Sequence, residues 1–331
     1  MTKKLLSAVF PIILLFSHPA AAQEYQSPAP QEFAAKPVRL VVGFAAGGPT
    51  DVIARLIAQD MTASLGQAVV VENKPGANAI IATEYVARAA PDGNTLLMSS
   101  LSLLVNSILT QGKLKYDPFR DFAPVSNVAV LPMVVVTSPD SGIGSMHDLV
   151  ALARAKPDEL SYGTSGHGGS AHLAGAMLAT MTGTKMTAVP FKGNAPALAE
   201  VMAGRVSFMF YPMVGIAEQV AAKKLKAIAV GTPAPHPDFP GVPTLAQSGM
   251  AELEATAPWV GILAPAGTPA PVVARLAKET RRSLARPRTR ERMKQLGAVI
   301  VADTPRQFGA FLKKDYQRWQ RVIRASGVGA E

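Results

Sequence analysis

Val38-Arg39-Leu40-Val41-Val42, running into Gly43-Phe44-Ala45-Ala46-Gly47-Gly48-Pro49-Thr50-Asp51, is the stretch that decides the fold. The first five residues favour an extended chain and four of them are apolar, as in a strand covered on both faces. The glycines then permit a tight turn. Beyond it, Val52, Ile53, Leu56, Ile57 and Met61 recur at helical spacing, with Thr50 placed as N-cap and Asp51 in the first turn. Strand, glycine turn and helix in that order open an α/β unit.

Working outward, the order repeats. Val69-Val70-Val71 reads as a strand, Asn73-Lys74-Pro75-Gly76 as a turn, and the chain to about Ala89 as a helix. Thr95–Ser99 follows the Pro91-Asp92-Gly93-Asn94 turn as another strand. Further strands are expected at Met133–Thr137, Ser161–Thr164, 187–191, 206–210, 226–230 and Trp259–Leu263. Ser145-x-x-Asp148 resembles a capping box for a helix that Pro157 stops, and Gly183 suits the end of the helix before it. Residues 270–325 read as mainly helical. Near-continuous apolar strands alternating with helices predict two α/β lobes built on parallel sheets.

A second glycine turn, Gly163-Thr164-Ser165-Gly166-His167-Gly168-Gly169-Ser170-Ala171-His172, has the same strand-to-helix placement. Gly166-x-Gly168-x-x-Ala171 matches a dinucleotide fingerprint in form, but no Asp or Glu lies between Glu159 and Glu200 to hold a ribose. His167 occupies the position where a nucleophile elbow requires glycine. The first turn lacks the Lys-Ser/Thr pair of a Walker A loop. What both turns offer is N–H and O–H donors at a helix N-terminus without fixed negative charge, which suits an anion such as a carboxylate. Two histidines alone do not make a metal site. His167 and His172 are expected to bond locally or to a ligand carboxylate.

The chain has 331 residues with 33 Lys+Arg, 23 Asp+Glu, 5 His and no Cys. That length suits about two domains. Without cysteine there are no disulfides, thiolate metal sites or thiol nucleophiles. Lys3-Lys4, the apolar Leu5–Phe16 and Ala20-x-Ala22 form a signal peptide over residues 1–22, too short to span a membrane. Its removal leaves a formal charge of +8, from +10 less Lys3 and Lys4. The polar, proline-bearing residues 23–36 read as a loose leader, of which 23–33 fall outside the lobes. Nine Lys/Arg and two Glu between Arg275 and Lys294 form a basic patch. Pro287 interrupts it and no aromatic residue accompanies it, so a solvated helical surface is expected rather than a nucleic-acid site.

Val71-Glu72-Asn73-Lys74-Pro75-Gly76-Ala77, Ala90-Pro91-Asp92-Gly93, Tyr116-Asp117-Pro118-Phe119-Arg120-Asp121-Phe122, His172-Leu173-Ala174-Gly175, Val189-Pro190-Phe191-Lys192-Gly193 and Ala264-Pro265-Ala266-Gly267-Thr268-Pro269 extend the pattern of the first stretch. Together they resemble the periplasmic solute-binding proteins of tripartite tricarboxylate transporters, also called Bordetella uptake gene proteins. The resemblance runs from about residue 36 to the C-terminus. It implies a type II periplasmic-binding fold with a ligand cleft between two lobes, 34–135 plus 258–331 and 136–257. It also implies an exported periplasmic monomer without enzyme activity, cofactor or metal, whose partners are a small-molecule carboxylate and the permease subunits in the membrane. A sensing role toward a membrane kinase is the alternative.

On this resemblance the ligand would lie among Phe44, Ala46, Gly47, Gly48, Asp51 and Ser100 of one lobe. Ser165, Gly166, His167, Gly168, Ser170, His172, Phe191 and Tyr211 would face it from the other. Relatives often carry histidine at Leu103, Asp at Tyr211 and Glu at Ala176. Their replacement here implies a carboxylate without an amino group, with an apolar or aromatic body near Phe44, Phe191 or Tyr211.

Overall fold

In the computed structural model, which describes residues 36–110 and 113–326, the opening strand is buried from both sides. In chain order the strands are β1 (Val38–Val42), β2 (Val69–Asn73), β3 (Thr95–Ser100), β4 (Phe122–Val130), β5 (Met133–Thr137), β6 (Ser161–Thr164), β7 (Thr187–Pro190), β8 (Phe208–Pro212), β9 (Lys226–Val230), β10 (Trp259–Pro265) and β11 (Val299–Ile300). The helices are α1 (Pro49–Leu65), α2 (Ile80–Ala87), α3 (Ser102–Leu109), α4 (Met146–Ala155), α5 (Ser170–Thr182), α6 (Asn194–Met202), α7 (Ala217–Ala221), α8 (Ala270–Ala285), α9 (Pro287–Gln295) and α10 (Pro305–Ser326). The signal peptide and leader lie outside the described residues.

Alternation along β1 explains its burial. Val38, Leu40 and Val42 pack with Ile53, Ile57 and Met61 of α1, whereas Val41 packs with Ala82 and Val86 of α2 and Phe308 and Leu312 of α10. Each such aliphatic side chain contributes about 1.5–3 kcal/mol by leaving water. Both faces of the sheet are therefore covered, as the apolar run implies.

The strands form two sheets, in the orders β11-β4-β10-β3-β1-β2 and β7-β6-β8-β5-β9. The chain passes between them twice, after β4 and between β9 and β10. This is a two-lobe α/β architecture, but the sheets are mixed rather than parallel. β10 runs antiparallel to β3 and β4, and β5 runs antiparallel to β8 and β9. The crossings cause this. The C-terminal ends of β1 and β3 point to the gap between the lobes, so a strand arriving across that gap must run the other way. β5 and β10 are the arriving strands.

Local signals behave variously. The Ser145 hydroxyl accepts from Asp148 N–H at 3.1 Å, as a capping box requires. Gly183 ends α5 with φ 63°. The N-cap of α1 is Gly48, not Thr50, because Pro49 takes the first helical position, where its missing N–H costs nothing. The 270–325 segment is broken at Arg286, whose extended conformation (φ −63°, ψ 135°) is the one favoured before Pro287. β4, β11, α3, α6 and α7 were not legible from spacing.

Candidate functional site

Four helices begin at one point between the sheets. The first residues of α1, α3, α5 and α6 bring Pro49, Thr50, Ser102, Ser170 and Asn194 to the wall of a single cavity. Phe44, Asn78, Ser100, Leu101, Leu131, Ser165, Gly169, Pro212, Pro258 and Val260 complete it. Ser100 and Pro212 stand at the ends of β3 and β8, and Leu131 and Pro258 at the two crossings. No Asp, Glu, Lys, Arg or His lines it.

No side chain caps α1, α5 or α6, while at the start of α3 the Ser102 N–H donates to Ser100 Oγ at 3.4 Å. Each helix presents unpaired N–H groups and the equivalent of about half a positive charge. Asp51 supplies the sole carboxylate in their first turns. The hydroxyls of Thr50, Ser165 and Ser170 have no protein partner among the described residues, while those of Ser100 and Ser102 share one hydrogen bond of 2.9 Å. The surroundings are thus rich in donors and electropositive without a formal charge. The cavity volume is about 20 Å³, room for about one water molecule. The lobes are closed.

Four of the fourteen residues read from the sequence line this cavity: Phe44, Ser100, Ser165 and Ser170. The other ten lie elsewhere in this closed form. The glycine amides are spent inside the protein: Gly47 N–H donates to Asp51 Oδ2 (2.9 Å), Gly48 to Ala45 O (3.4 Å), Gly166 to Thr164 Oγ1 (3.3 Å) and Gly168 to His172 Nδ1 (3.1 Å). The donors left at the cavity are hydroxyls and first-turn helix amides. Ala46 and Gly47 are exposed on the outside of their turn.

Asp51 is turned away from the cavity and holds the first turn in shape. It accepts from Gly47, from Arg55 Nε at 2.9 Å and from Asn73 Nδ2 at 2.9 Å, and Asn73 also donates to Phe44 O. Burial raises the Asp51 pKa, but these hydrogen bonds and the Arg55 charge outweigh it and hold the carboxyl below its ordinary value. Tyr211 is packed in the core of the second sheet, where burial raises its pKa, and only its neighbour Pro212 reaches the cavity. Leu103 and Ala176 likewise sit in apolar clusters. Those substitutions therefore do not touch the cavity in this closed form.

Gly166, His167 and Phe191 line an outer groove of about 670 Å³, which shares the wall residue Asn78 with the cavity. The glycines have another use, in letting the lobes touch. Ala45 N–H donates across the gap to Lys192 O at 3.1 Å, and a Cβ on Gly193 (φ 141°) would stand 3.0 Å from Ala45 N. A Cβ on Gly168 would stand 2.7 Å from Leu109 Cδ1 of the opposite lobe.

His172 accepts from Gly168 and stacks on Tyr162 with ring centroids 6.4 Å apart. Burial first, then the neighbouring His167, lowers its pKa to about 4. Because the folded value lies below the ordinary 6.5, its contribution to stability is complete above that pH and declines as pH falls from 6.5 toward 4. The His172 imidazole signals should titrate near pH 4 by NMR, and the melting temperature should fall across that window. A midpoint near 6.5 would contradict the packing described.

Pro49, Thr50, Asn78, Leu101, Ser102, Leu131, Gly169, Asn194, Pro212, Pro258 and Val260 also line the cavity and were not read from the sequence. The ends of parallel strands were the available signal for Ser102, which lies just beyond β3. Among the described residues, no cluster of three or more His, Cys, Asp or Glu is placed to hold a metal, and no helix is long and apolar enough to cross a membrane.

Two lobes closing over a donor-lined cavity define a solute-binding protein. Residues 53–328 match the family model for the tripartite tricarboxylate transporter family receptor, and the chain belongs to that family. It is 34% identical over 297 residues to Protein BugT of Bordetella pertussis, covering 89% of this chain and 91% of that one. The solved periplasmic binding protein BugD is similar at TM-score 0.84 and 36% identity, over 89% of this chain and 99% of that chain. A protein of R. palustris solved with adipate has TM-score 0.84 and 32% identity, over 88% and 98% of the two chains. MatC from Rhodopseudomonas palustris, with bound malate, has TM-score 0.82 and 31% identity, over 87% and 99%.

Proposed function

We propose that this chain is an exported receptor that captures a small organic carboxylate lacking an amino group and presents it to the permease subunits of a tripartite tricarboxylate transporter. The observation that carries this reading is the meeting of four helix N-termini on a cavity with no charged side chain. Asp51 offsets the dipole of α1, and the other three are equivalent to about one and a half positive charges, enough to hold a carboxylate. An ammonium group would find no acid to pair with there, and a buried unpaired charge is costly. The adipate and malate bound by the solved relatives are carboxylates without amino groups and support the reading.

Phe44, Leu101, Leu131 and Val260 offer an apolar surface to the ligand body. An aromatic or dicarboxylic ligand fits that arrangement. Capture requires opening, because a cavity of about 20 Å³ admits no such molecule. The lobes, 34–135 with 258–331 against 136–257, would part by a hinge motion at the two chain crossings. Closure would then bury the ligand and form the surface that the permease reads. No covalent step is needed. The basic excess of the chain would draw anions toward the cleft.

Calorimetric titration of the purified protein with aliphatic and aromatic mono- and dicarboxylates, and with amino acids, tests the proposal. Binding of at least one simple carboxylate, with amino acids at least tenfold weaker, is expected. Tight binding confined to amino acids would overturn it.

A further inference from the structure

The basic patch read from the sequence as a solvated surface is also the rim of a groove. α8, α9 and β11 enclose a space of about 860 Å³. Leu284, Ala285, Ala298, Ile300 and Ala302 give it apolar walls, and Arg281, Arg290 and Lys294 stand exposed along it. Neighbouring arginines are already paired, Arg282 with Glu279 and Arg286 with Asp60. Arg281, Arg290 and Lys294 form no ion pair among the described residues, and Glu291 is the sole acid in the lining. Pro287 opens α9 at the groove, and the first turn of α9 has no acidic residue, so the helix dipole adds to the positive field.

β11 gives the groove a second property. It lies at the edge of its sheet and pairs only with β4 among the described residues. The pairing runs on past the strand, with Val301 N–H donating to Val128 O at 3.0 Å and Asp303 N–H to Asn127 O at 3.1 Å. Alternation sends Ala298, Ile300 and Ala302 to the groove and leaves Val299 and Val301 in solvent, 55% and 36% exposed. An edge strand with apolar side chains on both faces is a template for another chain. A lipid headgroup would use the cations and leave the strand edge bare. An extended acidic segment uses both, with carboxylates on the rim, apolar side chains on the walls and main chain along β11. We propose that the groove docks an acidic segment of a partner protein, its carboxylates interleaved with apolar residues. The proposal is independent of the carboxylate-ligand reading.

Fluorescence anisotropy at low salt tests it with a short fluorescein-labelled peptide of alternating glutamate and valine. Saturable binding is expected, with a lysine–valine peptide and a glutamate–serine peptide each weaker by about tenfold or more. Arg290→Glu with Lys294→Glu, both at exposed positions, should weaken the glutamate–valine peptide by about tenfold or more. The same charge change at exposed positions of the other lobe, Lys223→Glu with Lys224→Glu, should weaken it by less than about threefold. No saturable binding by wild type, or equal binding of the lysine–valine peptide, would overturn the proposal without recourse to a variant. Equal losses in the two double variants would also overturn it, because they would mark attraction to net charge alone. Phosphatidylglycerol vesicles complete the test: if the groove variant loses vesicle binding but keeps its peptide affinity, the groove serves a lipid surface and the proposal fails.

Discussion

Ser170→Asp should lower carboxylate affinity by a hundredfold or more while leaving the melting temperature unchanged or slightly raised. Ser170 opens α5 at the cavity wall, and α5 has neither an acidic residue in its first turn nor a side-chain cap. An aspartate there meets the helix dipole favourably, by about 0.3–1 kcal/mol. The same charge faces an incoming anion. Two unit charges about 4 Å apart repel by about 4 kcal/mol at an effective dielectric constant of about 20, a factor near one thousand in binding. Fold stability and ligand affinity should thus move in opposite directions. Ser170→Ala, which removes one donor to a charged group, should cost only about 1.5–3 kcal/mol of binding. Calorimetry with differential scanning fluorimetry reads both quantities, and wild-type affinity in the aspartate variant would place the anion elsewhere.

Trp319→Ala should be the most damaging of the single changes to stability, with a loss of about 3–5 kcal/mol. Trp319 is fully buried in an apolar cluster with Leu101, Val105 and Leu109 from one lobe and Leu173 from the other. Arg318 stacks over its ring at 4.7 Å, pairs with Asp315 at 2.8 Å and also donates to Ala255 O. Asp315 in turn accepts from Trp259 Nε1 at 2.9 Å. Truncation leaves a void where α3, α5 and α10 meet, so both the fold and the closed pose lose support. Chemical denaturation should show the midpoint falling sharply. A loss below about 1 kcal/mol would mean that the cluster collapses around the gap.

The fold was legible because its signals are local. The apolar β1 strand, the glycine turn and the spacing of α1 agree with one another, and the order recurs along the chain. Strand direction was not legible, because periodicity is the same for parallel and antiparallel strands. The reversals at β5 and β10 follow from where the chain crosses the gap, a property of the whole path, and β11 is reversed as well. The candidate site was legible only in part, for a related reason. Ser165 and Ser170 announce themselves beside glycines at a helix start, as does Phe44. Asp51, His172 and Tyr211 are the chemically conspicuous residues, yet each is turned inward, to a turn, a loop and a core. Asn78 and Asn194 have no motif. They reach the cavity because a left-handed turn and a helix start bring them there. The glycines were read as ligand contacts, but their amides are bonded within the protein, and the missing side chain at Gly168 and Gly193 lets one lobe approach the other.

A crystal structure with a bound carboxylate tests the central claim most directly. The carboxylate oxygens should lie about 3 Å from the Ser165 or Ser170 hydroxyl and the first-turn amides of α5, between closed lobes. A ligand seated in the outer groove beside His167 and Phe191, with the serines unoccupied, would contradict it.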